Sequence, residues 1–187
     1  PLIIVLGPTA VGKTSLSIEL AQRLNGEIIG ADSRQIYKYM DIGTAKPTAD
    51  EQSQIPHHLI DIIDPDYNLT VAEYQDRTFE KINDLHKQDK LPFLVGGTGQ
   101  YISAIEEGWS IPRVPPNPEI RAELEAYVEQ YNPQALHTRL QQVDTVSAEK
   151  IHPNNVRRVV RALEVYMETG EPISKLQEKK STSQFQS

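Results

Sequence analysis

The chain has no cysteine among its 187 residues. That excludes a disulfide framework and a cysteine-ligated zinc site, and it suits a reducing compartment. No apolar run approaches the ~20 residues of a membrane helix. The first residues carry neither the charged region nor the cleavage site of a secretory leader, so a cytoplasmic protein away from membranes is expected. Positive charge is also short: the net charge is −7, which argues against gripping nucleic acid over the whole surface but leaves room for a local basic patch. The five histidines have no metal-ligand spacing, because His57 and His58 are adjacent and face opposite ways on an extended chain. Neither a Ser-His-Asp arrangement nor an internal repeat is present. A chain of this length suits one medium domain, or a domain with a modest insertion, and needs no staple to bury a core.

What is present starts with Leu2-Ile3-Ile4-Val5-Leu6, a continuous apolar run that reads as a buried parallel strand. A glycine turn follows, then a helix from about Lys13 to Leu24. Glu27 to Ala31 reads as a second strand, Leu59 to Ile63 as a third and Pro92 to Val95 as a fourth. Thr70-Val71-Ala72-Glu73 forms a capping box that opens a helix to about His86. Strands alternating with helices predict an α/β fold, a mostly parallel sheet flanked by helices. The texture changes at Ile111 to Pro118, which holds four prolines in seven residues. Beyond it no strand is readable. Helices are predicted over 118–131, 133–142 and 147–150, followed by a last strong helix capped by Asn154 or Asn155 and ended by Gly170 and Pro172. Its stripe is Val156, Val159, Val160, Leu163, Tyr166 and Met167, with Arg157, Arg158, Arg161, Glu164 and Glu168 facing elsewhere. The predicted organisation is an α/β core over 1–111, an all-helical insertion over 112–178 and a disordered polar tail over 179–187.

The chemistry-bearing pattern is Gly7-Pro8-Thr9-Ala10-Val11-Gly12-Lys13-Thr14. It is a P-loop in the strand–turn–helix context that the motif requires. Successive backbone N–H groups and the helix N-terminus meet phosphate oxygens there. Lys13 adds a point charge, and the Thr14 hydroxyl is placed to ligate Mg²⁺. Asp32 and Ser33 follow the second strand at the carboxyl edge of the sheet, where open α/β folds bind ligands; Asp32 reads as a proton acceptor, a metal ligand or a turn residue. Gly43 to Pro47 brings a second glycine turn with a cation, Lys46. Asp61 and Asp64 read either as carboxylates near magnesium or as turn and cap residues. Gly96-Gly97-Thr98 closes the fourth strand with small residues.

Five ordered motifs together resemble the tRNA dimethylallyltransferase family, also called tRNA isopentenyltransferases. They are the P-loop over 7–14, Asp32-Ser33-Arg34-Gln35-Ile36-Tyr37, Met40 to Pro47, Val95 to Tyr101, and His152-Pro153-Asn154-Asn155 followed by Arg161 to Val165. The resemblance implies transfer of a dimethylallyl group from dimethylallyl pyrophosphate to N6 of adenosine 37 of tRNA, with the P-loop holding the departing pyrophosphate and Mg²⁺ on Thr14. It implies Asp32 as general base, with Thr9 and Thr98 beside the reacting groups. Asp32, Ser33, Arg34, Gln35 and Thr98 become expected tRNA contacts, with Gln35 matching an adenine edge. On the helical side the expected contacts are Arg121, Arg157, Arg158, Val159, Val160 and Arg161, against the anticodon stem-loop. A monomer is expected. Family members run further toward the C-terminus, so a truncated chain is expected as well.

Two rival functions share the P-loop. A small-molecule or nucleotide kinase should present an Arg-bearing lid over ATP, whereas here the arginines lie on a helix of the insertion. An adenylate isopentenyltransferase, acting on free nucleotides, has no need of a helical clasp.

Overall fold

A computed structural model describes residues 1–8 and 11–178; Thr9, Ala10 and the polar tail over 179–187 lie outside the described residues. Pro1–Trp109 form one compact unit and the described residues from Ser110 onward form another.

In the first unit the elements run β1 (Ile3–Leu6), α1 (Lys13–Arg23), β2 (Gly26–Gly30), α2 (Ala49–Gln54), β3 (His57–His58), α3 (Val71–Lys87), β4 (Leu91–Gly96) and α4 (Gly99–Glu106). Among the described residues the strands form one sheet in the order β1-β4-β2-β3, every pair parallel. Alternate side chains of a strand point to opposite faces, and the core divides accordingly. Ile28 and Phe93 pack with Ile18 and Ala21 of α1 on one face. Ile29 and Leu94 pack with Tyr74, Ile82 and Leu85 of α3 and with Tyr101, Ile102 and Ile105 of α4 on the other. Thr70 and Glu73 close the capping box expected at the start of α3.

The third strand departs from expectation. The ladder with β2 uses His57 and His58, while Leu59 (φ 58°) and Asp61 (φ 54°) enter the left-handed region, which extended pairing excludes. Residues 61–63 instead pair with the segment after β2: the N–H of Asp61 donates to Gln35 O at 3.1 Å and that of Ile62 to Ile36 O at 2.9 Å. Short α2 has no buried residue and therefore no apolar stripe, although Thr48 and Glu51 form a capping box at its start.

The second unit is helical: α5 (Pro118–Gln130), α6 (Pro133–Val143), α7 (Thr145–Lys150), α8 (Val156–Thr169) and α9 (Ile173–Glu178). Asn117, Asn132 and Asp144 cap α5, α6 and α7 with their side chains, whereas Asn155 precedes α8 without a side-chain cap bond. Leu124, Leu136, Leu140, Val159, Val160 and Leu163 form its core. Met167, expected in the buried stripe, is 45% exposed. Glu164, expected on the outward face, is fully buried. Among the described residues no helix is long and apolar enough to cross a membrane.

Candidate active site and cationic helix cluster

The carboxyl ends of β1, β2 and β4 converge because the strands are parallel and neighbours. β1 ends beside β4, with Leu6 opposite Gly96, and β2 ends beside it on the other side, with Gly30 opposite Val95. The chain leaves β1 into the glycine turn that precedes α1. Gly12, at φ 84°, is the residue preceding α1, a conformation that glycine adopts without the strain a Cβ brings. The Lys13 ammonium donates to Pro8 O at 2.5 Å, so it curls back over the turn. Thr14 follows in the first turn of α1, its carbonyl accepting the Ser17 hydroxyl at 2.9 Å.

Asp32 is partly buried just past β2. Its Oδ1 accepts the Arg34 N–H at 2.9 Å, a bond that fixes the carboxylate against its own turn. Thr98 ties this turn to the end of β4. Its N–H donates to Ala31 O at 3.0 Å, and its hydroxyl oxygen accepts the Ser33 N–H at 2.8 Å. Thr98 precedes α4, yet makes no side-chain cap bond to that helix; its hydroxyl is committed across the sheet edge instead. The spacing is set by two glycines. A Cβ on Gly96 would lie 2.1 Å from Ala31 O, an impossible contact. A Cβ on Gly97 would lie 3.4 Å from Gly7 O and 3.8 Å from Asp32 Oδ2, so Gly97 stands between the start of the glycine turn and the carboxylate. Beneath them the Tyr74 and Tyr101 rings stack with centroids 3.8 Å apart, and the Tyr74 hydroxyl donates to Gly30 O at 2.9 Å. Burial, then the neighbouring Tyr37 and Asp32, pushes the Tyr101 hydroxyl up to about 12. It stays a protonated donor at neutral pH.

Gln35 and Lys46 brace the loop that follows. The Gln35 amide donates to Thr44 O at 3.1 Å and Ala45 O at 2.9 Å. Lys46, its side chain only 6% exposed, donates to Tyr37 O at 3.0 Å, to Asp41 at 2.7 Å and to Asp61 at 2.6 Å. Burial works against its charge, but the bonds to Asp41 and Asp61 outweigh that and raise its pKa. Asp61 is therefore the partner of Lys46, and exposed Asp64 pairs with Lys38 at 3.4 Å. Both carboxylates are thus paired with lysines. Among the described residues no group of three or more His, Asp or Glu could hold a metal by itself. Arg34 is exposed beside Asp32, and Ser33 is partly buried.

In the helical unit Arg157 and Arg158 are exposed at the start of α8. Val159 and Val160 are 0% and 5% exposed; their side chains are committed to the helical core, so these side chains are not available to RNA. Arg121 and Arg161 both reach the Glu164 carboxylate. Arg121 Nε donates to Oε1 at 2.7 Å and its Nη2 to Oε2 at 3.0 Å, while Arg161 Nη1 donates to Oε2 at 2.7 Å. Arg161 Nη2 also donates to Val114 O at 2.8 Å, and the Asn117 N–H reaches Glu164 Oε1 at 2.8 Å. Burial would raise the Glu164 pKa, but the bonds from Arg121, Arg161 and Asn117 lower it on balance. Glu164 was missed as an organising residue because an Arg and a Glu three apart on a helix also read as a solvated pair. The distinguishing partner, Arg121, is far away in sequence.

Comparison with known proteins adds the following. A family model described as IPP transferase matches residues 35–187. The chain is similar to the tRNA dimethylallyltransferase of Chloroflexus aggregans, 60% identical over 178 residues that cover 95% of this chain and 60% of the relative. It is similar to the tRNA dimethylallyltransferase of Halalkalibacterium halodurans, 50% identical over 173 residues, 92% of this chain and 55% of the relative. Among solved structures, a eukaryotic dimethylallyltransferase acting on tRNA superposes with a TM-score of 0.77 at 32% identity, over 96% of this chain and 44% of that one. The tRNA isopentenylpyrophosphate transferase of Bacillus halodurans gives 0.59 at 51% identity, over 91% and 56%. The chain thus spans 55–60% of the length of the two curated relatives.

Proposed function

The chain belongs to the IPP transferase family, and from that premise we propose that, within the whole protein, it transfers a dimethylallyl group from dimethylallyl pyrophosphate to N6 of adenosine 37 in a tRNA anticodon loop. The observation that carries the reading is the placement of Gly97 between Gly7 and Asp32. It keeps the space between the first residue of the glycine turn and the Asp32 carboxylate free of any side chain.

In this reaction the adenine N6 attacks the allylic carbon, the C–O bond to the diphosphate breaks, and N6 loses a proton. The turn residues bind the diphosphate through backbone N–H groups at the start of α1. As negative charge grows on the leaving group, those donors and Lys13 stabilise it; loss of one such donor typically costs about 3 kcal/mol. Asp32 takes the N6 proton on Oδ2, because Oδ1 is held by the Arg34 N–H. Thr98 and Ser33 keep that turn at a fixed height above the sheet. Thr14 offers a hard oxygen at the head of α1 and would hold a magnesium ion, which usually needs only one or two protein oxygens. Bound there, Mg²⁺ would neutralise charge on the diphosphate. The adenine must leave its stack to reach the gap, and the exposed arginines of α8 supply phosphate contacts to the stem-loop.

The test is incubation of the whole protein with dimethylallyl pyrophosphate, Mg²⁺ and an anticodon stem-loop RNA. A mass gain of one prenyl unit on the RNA is the expected result. ATP hydrolysis with no prenyl addition would overturn the reading in favour of a kinase, and prenylation of free AMP with none of the RNA would favour the adenylate enzyme.

A further inference from the structure

We propose that Glu164 is a positioning residue for RNA binding, holding Arg121 of α5 and Arg161 of α8 as a two-guanidinium clamp for one RNA phosphate. The inference rests on the functional reading above and adds to it a residue that touches no RNA itself. Two guanidiniums bonded to one carboxylate oxygen, Glu164 Oε2, at 3.0 and 2.7 Å are like charges held side by side. Without the shared anion they would repel and swing apart. Glu164 cancels one of the two charges and leaves the cluster at +1.

The geometry separates the anchored atoms from the presented ones. Arg121 commits Nε and Nη2 to Glu164, and Arg161 commits Nη1 to Glu164 and Nη2 to Val114 O. A guanidinium has five N–H donors, so both side chains keep donors beyond these bonds. The carboxylate is fully buried, whereas the arginine side chains are 40% and 30% exposed. The anchor is therefore buried, while both side chains bonded to it still reach solvent. A planar fork held in one orientation suits a phosphate, which accepts paired N–H bonds at low entropic cost. Glu164 also takes the Asn117 N–H at the start of α5, and that contact fixes the helix from which Arg121 projects.

A purely structural role and a positioning role make different demands on charge. Glu164→Gln keeps the volume and raises the cluster from +1 to +2, so arginines acting as simple charges would bind RNA more tightly. The clamp requires the reverse: about tenfold weaker binding of an anticodon stem-loop by the whole protein, with the slope of log K against log salt reduced by about one phosphate contact. Arg121→Lys, which conserves charge but not the fork, should lose a similar amount. The double variant should lose little more than either single one, since both remove the same clamp. Glu164→Asp should recover part of the affinity. Equal or tighter binding by Glu164→Gln, or fully additive losses in the double variant, overturns the proposal. If Glu164→Gln fails to fold, Arg121→Lys decides: wild-type affinity with lysine in place refutes the clamp. A wild-type protein that binds no stem-loop RNA refutes the functional reading instead.

Discussion

The two units solve the burial of charge with opposite signs. In the α/β unit one lysine, Lys46, is enclosed by two aspartates; in the helical unit one glutamate, Glu164, is enclosed by two arginines. Both central groups are withdrawn from water and both outer pairs reach it, so the first cluster shows the solvent a net negative charge and the second a net positive one. The lysine cluster ties a loop, 37–46, back onto its own base. The arginine cluster ties α8 to α5 and leaves two cations at the surface. A charged group in the core thus serves as an anchor in either case, and the sign of what it anchors decides what the surface above it attracts. That division suits the roles proposed above, diphosphate chemistry in the first unit and phosphate contacts in the second.

The largest expected effect tests whether chemistry resides in the α/β unit alone. Asp32→Ala in the whole protein should lower prenyl transfer about 10²–10⁴-fold while stem-loop affinity stays near wild type; unchanged turnover in a mass assay removes Asp32 from the base role. Next comes the contrast between the two anchors. Glu164→Ala strands the Asn117 N–H and separates two guanidiniums, for a loss of about 3 kcal/mol in denaturant unfolding. Lys46→Met should cost less, about 1–2 kcal/mol, because Asp41 and Asp61 are exposed enough to regain water. A larger loss for Lys46→Met would break the comparison.

The same anchors should fail at opposite ends of the pH scale. Glu164 titrates below the usual 4.5 in the folded chain, so its contribution is complete above about 4.5 and disappears as pH falls through its lower native value. Lys46 titrates above 10.5, so its contribution is complete below that and disappears as pH rises through its higher native value. The unfolding difference between wild type and Glu164→Gln should therefore shrink only in acid, and that for Lys46→Met only in strong base. The smallest effect is expected of Arg158→Ala: a stability change within about 0.5 kcal/mol and a salt slope lower by about 0.7–0.9, read from stem-loop binding at several ionic strengths.

Much of the fold was legible because its signals are local. The apolar run before Gly7, the capping box at Thr70 and Glu73, and the asparagine and proline that open α5 each act within a few residues of the structure they cause. The stretch 59–63 misled because its apolar composition suits a strand, while Leu59 and Asp61 turn left-handed to meet the segment after β2. That preference comes from a distant partner and leaves no periodic trace. Helix α2 went unread: Thr48 and Glu51 form its capping box, but it has no apolar stripe to mark it. At the site, Gly7 to Thr14 and Asp32 could be named from motif and strand order. The bond from Ser33 to Thr98 and the Glu164 cluster could not, since each joins residues more than forty positions apart.

Gly97 has a further consequence. A single hydrogen atom is all that this residue interposes between the glycine turn and the Asp32 carboxylate. A methyl group there would meet Gly7 O at no worse than ordinary contact distance, so the chain would fold and keep its stability. It would narrow the passage in which, on the proposed mechanism, the two substrates must touch. On that mechanism, Gly97→Ala would leave the architecture intact and still lose prenyl transfer.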